Sequence, residues 1–259
     1  MRTPLKINHR NRSTKKTTKK RKKKMPKKKD KPKKDPEKTF KATKTYVAIV
    51  LDKSGSMGTL QEEARTSFNE QVKRIQKESQ DLETRICLTI FNHDVNFVKF
   101  DEDVDQLPTL EQKDYEPSGM TAFYDAVCST IRKLEDLPDI NEPQVAVLML
   151  IITDGQENSS KTFTNEDVSG MISRLKATDR WTFSVMGANI DLAALSDSTG
   201  ISKGNMLKFA ANAQSVTRGT AMTNDAYGSY FDNRRRGVTK SNLYSSEDRI
   251  VDADDDITD

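Results

Sequence analysis

Residues 145–152 read Val-Ala-Val-Leu-Met-Leu-Ile-Ile, eight apolar side chains without a polar interruption and the longest such run in the chain. The run is far short of the roughly 20 residues needed to cross a bilayer. A strand with one wet face would alternate apolar and polar residues, whereas a continuous run marks a strand covered on both faces, as in a parallel sheet. A chain organised around it therefore calls for helices on both sides of a mostly parallel sheet.

The flanking segments supply the partners. Period-2 and short apolar runs predict strands at 46–51, 85–91, 145–153, 181–187 and 206–210, with a shorter antiparallel edge strand at 95–100. Leu60, Ala64, Phe68, Val72 and Ile75 fall on one helical face. So do Ala126, Val127, Ile131 and Leu134, and so do Val168, Met171, Ile172 and Leu175. A short helix is expected over 191–198, stopped near Gly200, and a last one over 216–231. Thr59 with Glu62, and Thr164 with Asp167, have the spacing of capping boxes. This alternation predicts a doubly wound, six-stranded, mostly parallel Rossmann-like α/β sheet; an order of 3-2-1-4-5-6 would make its first and central strands neighbours. Cys87 and Cys128 lie in apolar-periodic segments and read as reduced, buried thiols, and Trp181 reads as core.

Charge divides the chain. Its formal net charge is +4, but residues 1–44 carry 21 Lys and Arg against three Asp and Glu, while the rest carry 22 against 36. The basic segment has almost no apolar residues and is expected to be disordered. The folded domain is expected over 45–232, and residues 233–259 read as an acidic, disordered tail. A charge of about +18 on the N-terminal segment would hold nucleic acid or another polyanion through counterion release. It lacks interleaved aromatics for stacking on bases. With no apolar h-region and no membrane span, the expected location is cytoplasmic, or nuclear in a eukaryote, where the basic run would serve as a localisation signal.

In a doubly wound sheet, ligands bind beyond the carboxyl ends of the strands, where the strand order reverses. The first strand leads into Asp52-Lys53-Ser54-Gly55-Ser56, and the central strand ends in Thr153-Asp154-Gly155. If these strands are neighbours, Asp52 and Asp154 converge with the hydroxyls of Ser54 and Ser56. A third loop, ending in Thr121 at the entrance of a helix, adds another oxygen. Two carboxylates and three hydroxyls are hard donors that suit Mg²⁺, with Mn²⁺ or Ca²⁺ as alternatives. Other motifs fall short. There is no G-x-x-x-x-G-K-[ST] loop, and Asp101–Asp105 lacks the Gly and Glu of a calcium loop, with Gln106 and Gln112 in their places. His9 and His93 have no zinc-spaced partners, and His93 with Asp94 reads as a surface turn.

Asp52-x-Ser54-x-Ser56, Thr121 and Asp154-Gly155 match in order and spacing the metal-ion-dependent adhesion site (MIDAS) of von Willebrand factor A-type (vWA) domains, and the resemblance covers about residues 45–230. It implies that Ser54, Ser56 and Thr121 contact the ion, that Asp52 and Asp154 act largely through water and hydrogen bonds, and that a partner protein supplies an Asp or Glu to the open position. Met120 stands where a second Gly is common before the Thr, a change that touches the loop and removes no ligand. The resemblance implies a non-enzymatic interaction module. A metal-dependent phosphoester hydrolase is the alternative; against it, no general base accompanies these residues and no D-x-D-x-T motif occurs. A nucleic-acid-associated scaffold, anchored by the basic tail, is the third reading.

Overall fold

The computed structural model describes residues 44–188 and 190–254, so the expectations for residues 1–43 and 255–259 lie outside the described residues. In chain order the elements are β1 (Lys44–Asp52), α1 (Gln61–Glu78), β2 (Glu83–Phe91), β3 (Val95–Asp103), α2 (Phe123–Glu135), β4 (Val145–Thr153), α3 (Asn165–Lys176), β5 (Trp181–Ala188), α4 (Leu192–Thr199), β6 (Met206–Phe209), α5 (Ala213–Arg235) and β7 (Val251–Asp252). They form one sheet in the order β3-β2-β1-β4-β5-β6-β7. Every pairing is parallel except the antiparallel β2–β3 edge.

The continuous apolar run is β4, and all nine of its residues are buried. Alternate side chains serve the two faces. Val47, Ile49 and Leu51 of β1 join Leu148, Leu150 and Ile152 of β4 beneath α1 and α5. Tyr46, Ala48 and Val50 join Val147, Met149 and Ile151 beneath α2 and α3. Full burial of each large apolar side chain contributes about 1.5–3 kcal/mol, so the central strands hold the layers together. Cys87 and Cys128 are buried free thiols, and Trp181 is buried and stacked on Phe183. Among the described residues no helix is long and apolar enough to cross a membrane.

The structure departs from the sequence reading in four places. The sheet has seven strands, because the segment after α5, read as a tail, returns to the β6 edge. There Leu243 and Ala253 are buried, Ala253 N–H donates to Lys208 O at 2.9 Å, and the Asp254 carboxylate accepts from Ala210 N–H and Ser215 Oγ. Acidic composition hid a few well-placed apolar residues and a strand of two residues. Secondly, α5 is longer than expected; its buried Arg234 side chain donates to Thr45 Oγ1 and to the Lys44 carbonyl, fastening the helix to the start of β1. Thirdly, β1 begins at Lys44, one residue before the expected boundary. Its ammonium donates to Asp139 Oδ2 at 2.6 Å. Fourthly, the Thr59–Glu62 capping box does not form. A 3₁₀ turn over Gly55–Leu60 runs directly into α1, whose N-cap position is Leu60. The second box does form, with Thr164 and Asp167 bonded reciprocally.

Candidate metal centre

Parallel pairing of β1 with β4 sets Leu51 against Ile152, so both strands finish together at their carboxyl ends. Asp52 and Thr153 come next on each, and Thr153 Oγ1 donates to Asp52 Oδ2 at 2.6 Å. The other carboxylate oxygen of Asp52 accepts from Ser54 N–H at 2.7 Å, and its carbonyl accepts from the buried Tyr115 hydroxyl at 2.6 Å. Asp52 is fully buried. Its carboxylate therefore lies beneath the cluster rather than at a solvent-facing end, and it fixes the turn that carries the two serines.

Above it, Ser54 Oγ lies 3.1 Å from Ser56 Oγ, and Ser56 Oγ donates to Asp154 Oδ1 at 2.7 Å. Ser54, Thr121 and Asp154 are buried, while Ser56 is exposed. The position of Thr121 is read from Gly155. A Cβ built there would lie 2.8 Å from Thr121 Oγ1, 3.2 Å from Ser56 Oγ and 3.3 Å from Asp52 Oδ2. Oxygens from two loops, the turn after β1 and the loop before α2, thus converge on the point left open by the missing glycine side chain in a third. All five residues singled out in the sequence meet in this cluster.

The loop before α2 is pinned on several sides. Gly55 N–H donates to Gly119 O at 3.0 Å, Ser118 N–H to Lys53 O at 2.9 Å and Ala122 N–H to Asn92 O at 2.7 Å. Gly119 has φ +78°, and a Cβ there would collide with the His93 ring. His93 thus packs against the loop from its surface turn. Met120 is 56% exposed, and the loop still delivers Thr121 to the cluster.

Sequence reasoning missed the residues that hold these loops in place. Asn158 Oδ1 accepts from Thr121 N–H at 2.8 Å, while the Thr121 carbonyl accepts from Asn158 and Ser159 N–H groups. Glu157 accepts from Tyr124 N–H, Ser159 N–H, Ser160 N–H and Ser160 Oγ. Asp125 accepts from the N–H groups of Lys161, Thr162 and Phe163. The one available signal was the density of short polar residues after Asp154, which does not distinguish an anchoring loop from a solvated one.

Burial pushes the Asp52 carboxyl above its ordinary value against the pull of the Thr153 and Ser54 bonds, with the neighbouring Asp154 charge adding to the rise. Burial raises Asp154 as well, against the Ser56 bond. Two carboxylates held close in a poorly solvated place favour a cation between or above them. The donor set, entirely oxygen, with neutral hydroxyls making up three of its five groups, fits a hard divalent ion that keeps some of its waters. Among the described residues no group of three or more His, Cys, Asp and Glu is placed to hold a metal, so this mixed cluster is the candidate.

No protein-family model and no curated protein matches the sequence. Solved structures do match in fold. The crystal structure of manganese-loaded Plasmodium vivax TRAP protein aligns with TM-score 0.50 and 15% identity, over 69% of this chain and 72% of that one. A von Willebrand factor type A protein from Catenulispora acidiphila aligns at 0.44 and 11%, over 74% and 43%. Proximal thread matrix protein 1 from the mussel byssus, with a zinc-occupied MIDAS motif, aligns at 0.49 and 13%, over 74% and 47%. The present chain spans less than half the length of the latter two. At these identities the likeness is one of architecture: the chain has a vWA-like α/β fold with a seven-stranded, mostly parallel sheet flanked by helices.

Proposed function

We propose that the domain is a non-enzymatic, divalent-cation-dependent protein-interaction module. In this reading Ser54, Ser56 and Thr121 hold Mg²⁺, and Asp52 and Asp154 act through hydrogen bonds and bound water. The observation that carries it is the convergence of Thr121 Oγ1, Ser56 Oγ and Asp52 Oδ2 on the open point at Gly155. A bound cation supplies a position open to the Asp or Glu of a partner protein. The residues of the chain do the rest: Asp52 fixes the Ser54 turn, Asn158 fixes Thr121, and Tyr115 ties the base of the cluster to the loop before α2. Glu157, an acid of the adjoining loop, is engaged with four donors, three in its own loop and the Tyr124 N–H of α2, which favours binding over hydrolysis.

The manganese and zinc of the TRAP and mussel structures belong to those proteins; for this chain the choice among Mg²⁺, Mn²⁺ and Ca²⁺ falls to titration. Calorimetric titration of each ion into the full chain tests the reading, and absence of divalent binding refutes it. We further propose that residues 1–44 engage polyanions separately from the metal. That contact falls steeply with salt and is indifferent to EDTA, whereas carboxylate capture at the cluster vanishes with EDTA and weakens only moderately with salt.

A further inference from the structure

A cleft of about 360 Å³ opens beside the oxygen cluster, between the start of α2, the loop after β4 and the exposed side of α4. Gly155 and Thr153 belong to both: they line the cleft, and they also contact the cluster residues. The cleft is walled by Phe123, Ile190, Ala194 and Leu195. No Lys, Arg or His lines it, so it offers nothing to a second anion. The two acids at its rim are already engaged with backbone, Glu157 with its own loop and with Tyr124 N–H of α2, and Asp191 as the cap of α4 through Ala194 N–H. What the cleft presents to a ligand is apolar carbon with a polar margin, the usual make-up of a small recognition pocket.

We infer that this cleft is a second subsite of the same face and takes one apolar side chain, aliphatic or aromatic, from the partner segment that offers its carboxylate to the metal. The inference rests on the metal-binding reading above. Because the cleft begins at Gly155, at the edge of the cluster, the apolar residue lies within two positions of the acidic one. An extended peptide rises about 3.3 Å per residue and returns a side chain to the same face every second residue. The partner class is therefore a protein segment with an acidic residue flanked by Leu, Ile, Met or Phe.

Selection from a random heptapeptide display library on the immobilised full chain tests this. One arm contains Mg²⁺ and the other EDTA, both at about 0.5 M salt, which screens peptides held merely by the basic tail. Peptides recovered in Mg²⁺ and lost in EDTA are expected to carry an acid with an apolar residue within two positions. Replacing that apolar residue by Gly should weaken a synthetic peptide by about 10- to 100-fold, the equivalent of burying one such side chain. Ala194→Trp and Ser198→Phe, two substitutions on the outer side of α4 that fill the cleft, should each abolish the apolar preference and keep the acidic one.

Acidic peptides with no apolar preference, a preference for a basic neighbour, or an apolar preference unchanged in both filled variants would overturn the subsite. Peptides without an acid, or recovery indifferent to EDTA, would overturn it together with the reading it rests on. Mg²⁺ titration of the same preparation tells these failures apart, because a false subsite leaves ion binding intact and a false metal site does not.

Discussion

Gly155→Ala adds a single methyl group at the place where the cluster converges, which makes it a sharp probe of the site. The new Cβ would lie 2.8 Å from Thr121 Oγ1, against ordinary contact from 3.4 Å upward, so one of the two must move by about 0.6 Å. Ser56, 3.2 Å away and exposed, can yield. Thr121 cannot yield without cost: it is buried, its N–H donates to Asn158 and its carbonyl accepts two further bonds. The hydroxyl must rotate away or the loop must shift. Metal sites require their groups to be held within about 0.5 Å, and Mg²⁺ is strict in its geometry. A loss of about 10- to 100-fold in affinity is expected, similar to removing a supporting contact.

In stability, wild-type protein at a Mg²⁺ concentration of 100 times its Kd gains about 2.7 kcal/mol, and a hundredfold weaker variant at the same concentration gains about 0.4. For a domain of this size the difference is a Mg²⁺-induced rise in Tm of about 5–10 °C against about 1 °C. Gly155 has no positive φ, so the apo variant should unfold within about 1 kcal/mol of wild type. Calorimetry with Mg²⁺ and thermal melts in Mg²⁺ and EDTA read both quantities. Wild-type affinity together with a wild-type Mg²⁺-induced shift would refute the assignment of the cluster.

Thr121→Ala removes one hydroxyl and leaves the basic segment untouched; it should weaken Mg²⁺ by at least about tenfold and leave salt-dependent retention on heparin unchanged, and joint loss of the two would refute separate roles. Burial works against the charge on Asp139, but the bonds from Lys44 and Tyr46 outweigh it and hold its carboxyl below the usual 3.8. Its contribution is thus present above that value and lost as pH falls through the depressed one. Asp139→Asn should cost about 1 kcal/mol in urea melts at pH 7, after allowance for its partial exposure, and progressively less as the pH is lowered below 3.8; a cost independent of pH would refute the ion pair's role. A chain stopped after Gly237 loses Leu243, β7 and the Asp254 contacts, and its urea midpoint should fall by the equivalent of at least about 2 kcal/mol; an unchanged midpoint would mean that the returning segment adds no stability.

The parts of this molecule legible in the sequence were those with a period. β4 announced itself by continuity, the helices by 3.6-residue spacing, and the mostly parallel sheet by alternation, which leaves the order β3-β2-β1-β4-β5-β6 to the structure. The five cluster residues were legible because each follows or precedes a strongly periodic element, so that topology alone brings them to one place. β7 was not, since two paired residues within an acidic stretch carry no period. Nor were the supports. Asn158, Glu157 and Asp125 work through backbone N–H groups distant in sequence or local to a loop, and that role belongs to loop conformation rather than to spacing. The burial of Asp52 followed the same logic, because its depth is set by the hydroxyls stacked above it.

The returning segment also has a consequence for biosynthesis. β6 runs Met206–Phe209, and the strand that covers its outer edge, Val251–Asp252, emerges some 40 residues later, after the whole of α5. At about 5–20 residues per second, a ribosome leaves that edge without its neighbour for seconds. An open strand edge is a template for any other extended chain nearby. Until the last acidic stretch has been made, a nearly complete domain carries the hazard that the finished one has closed. Nascent chains stalled just past α5 are therefore the species in which chaperone capture or misassembly should concentrate.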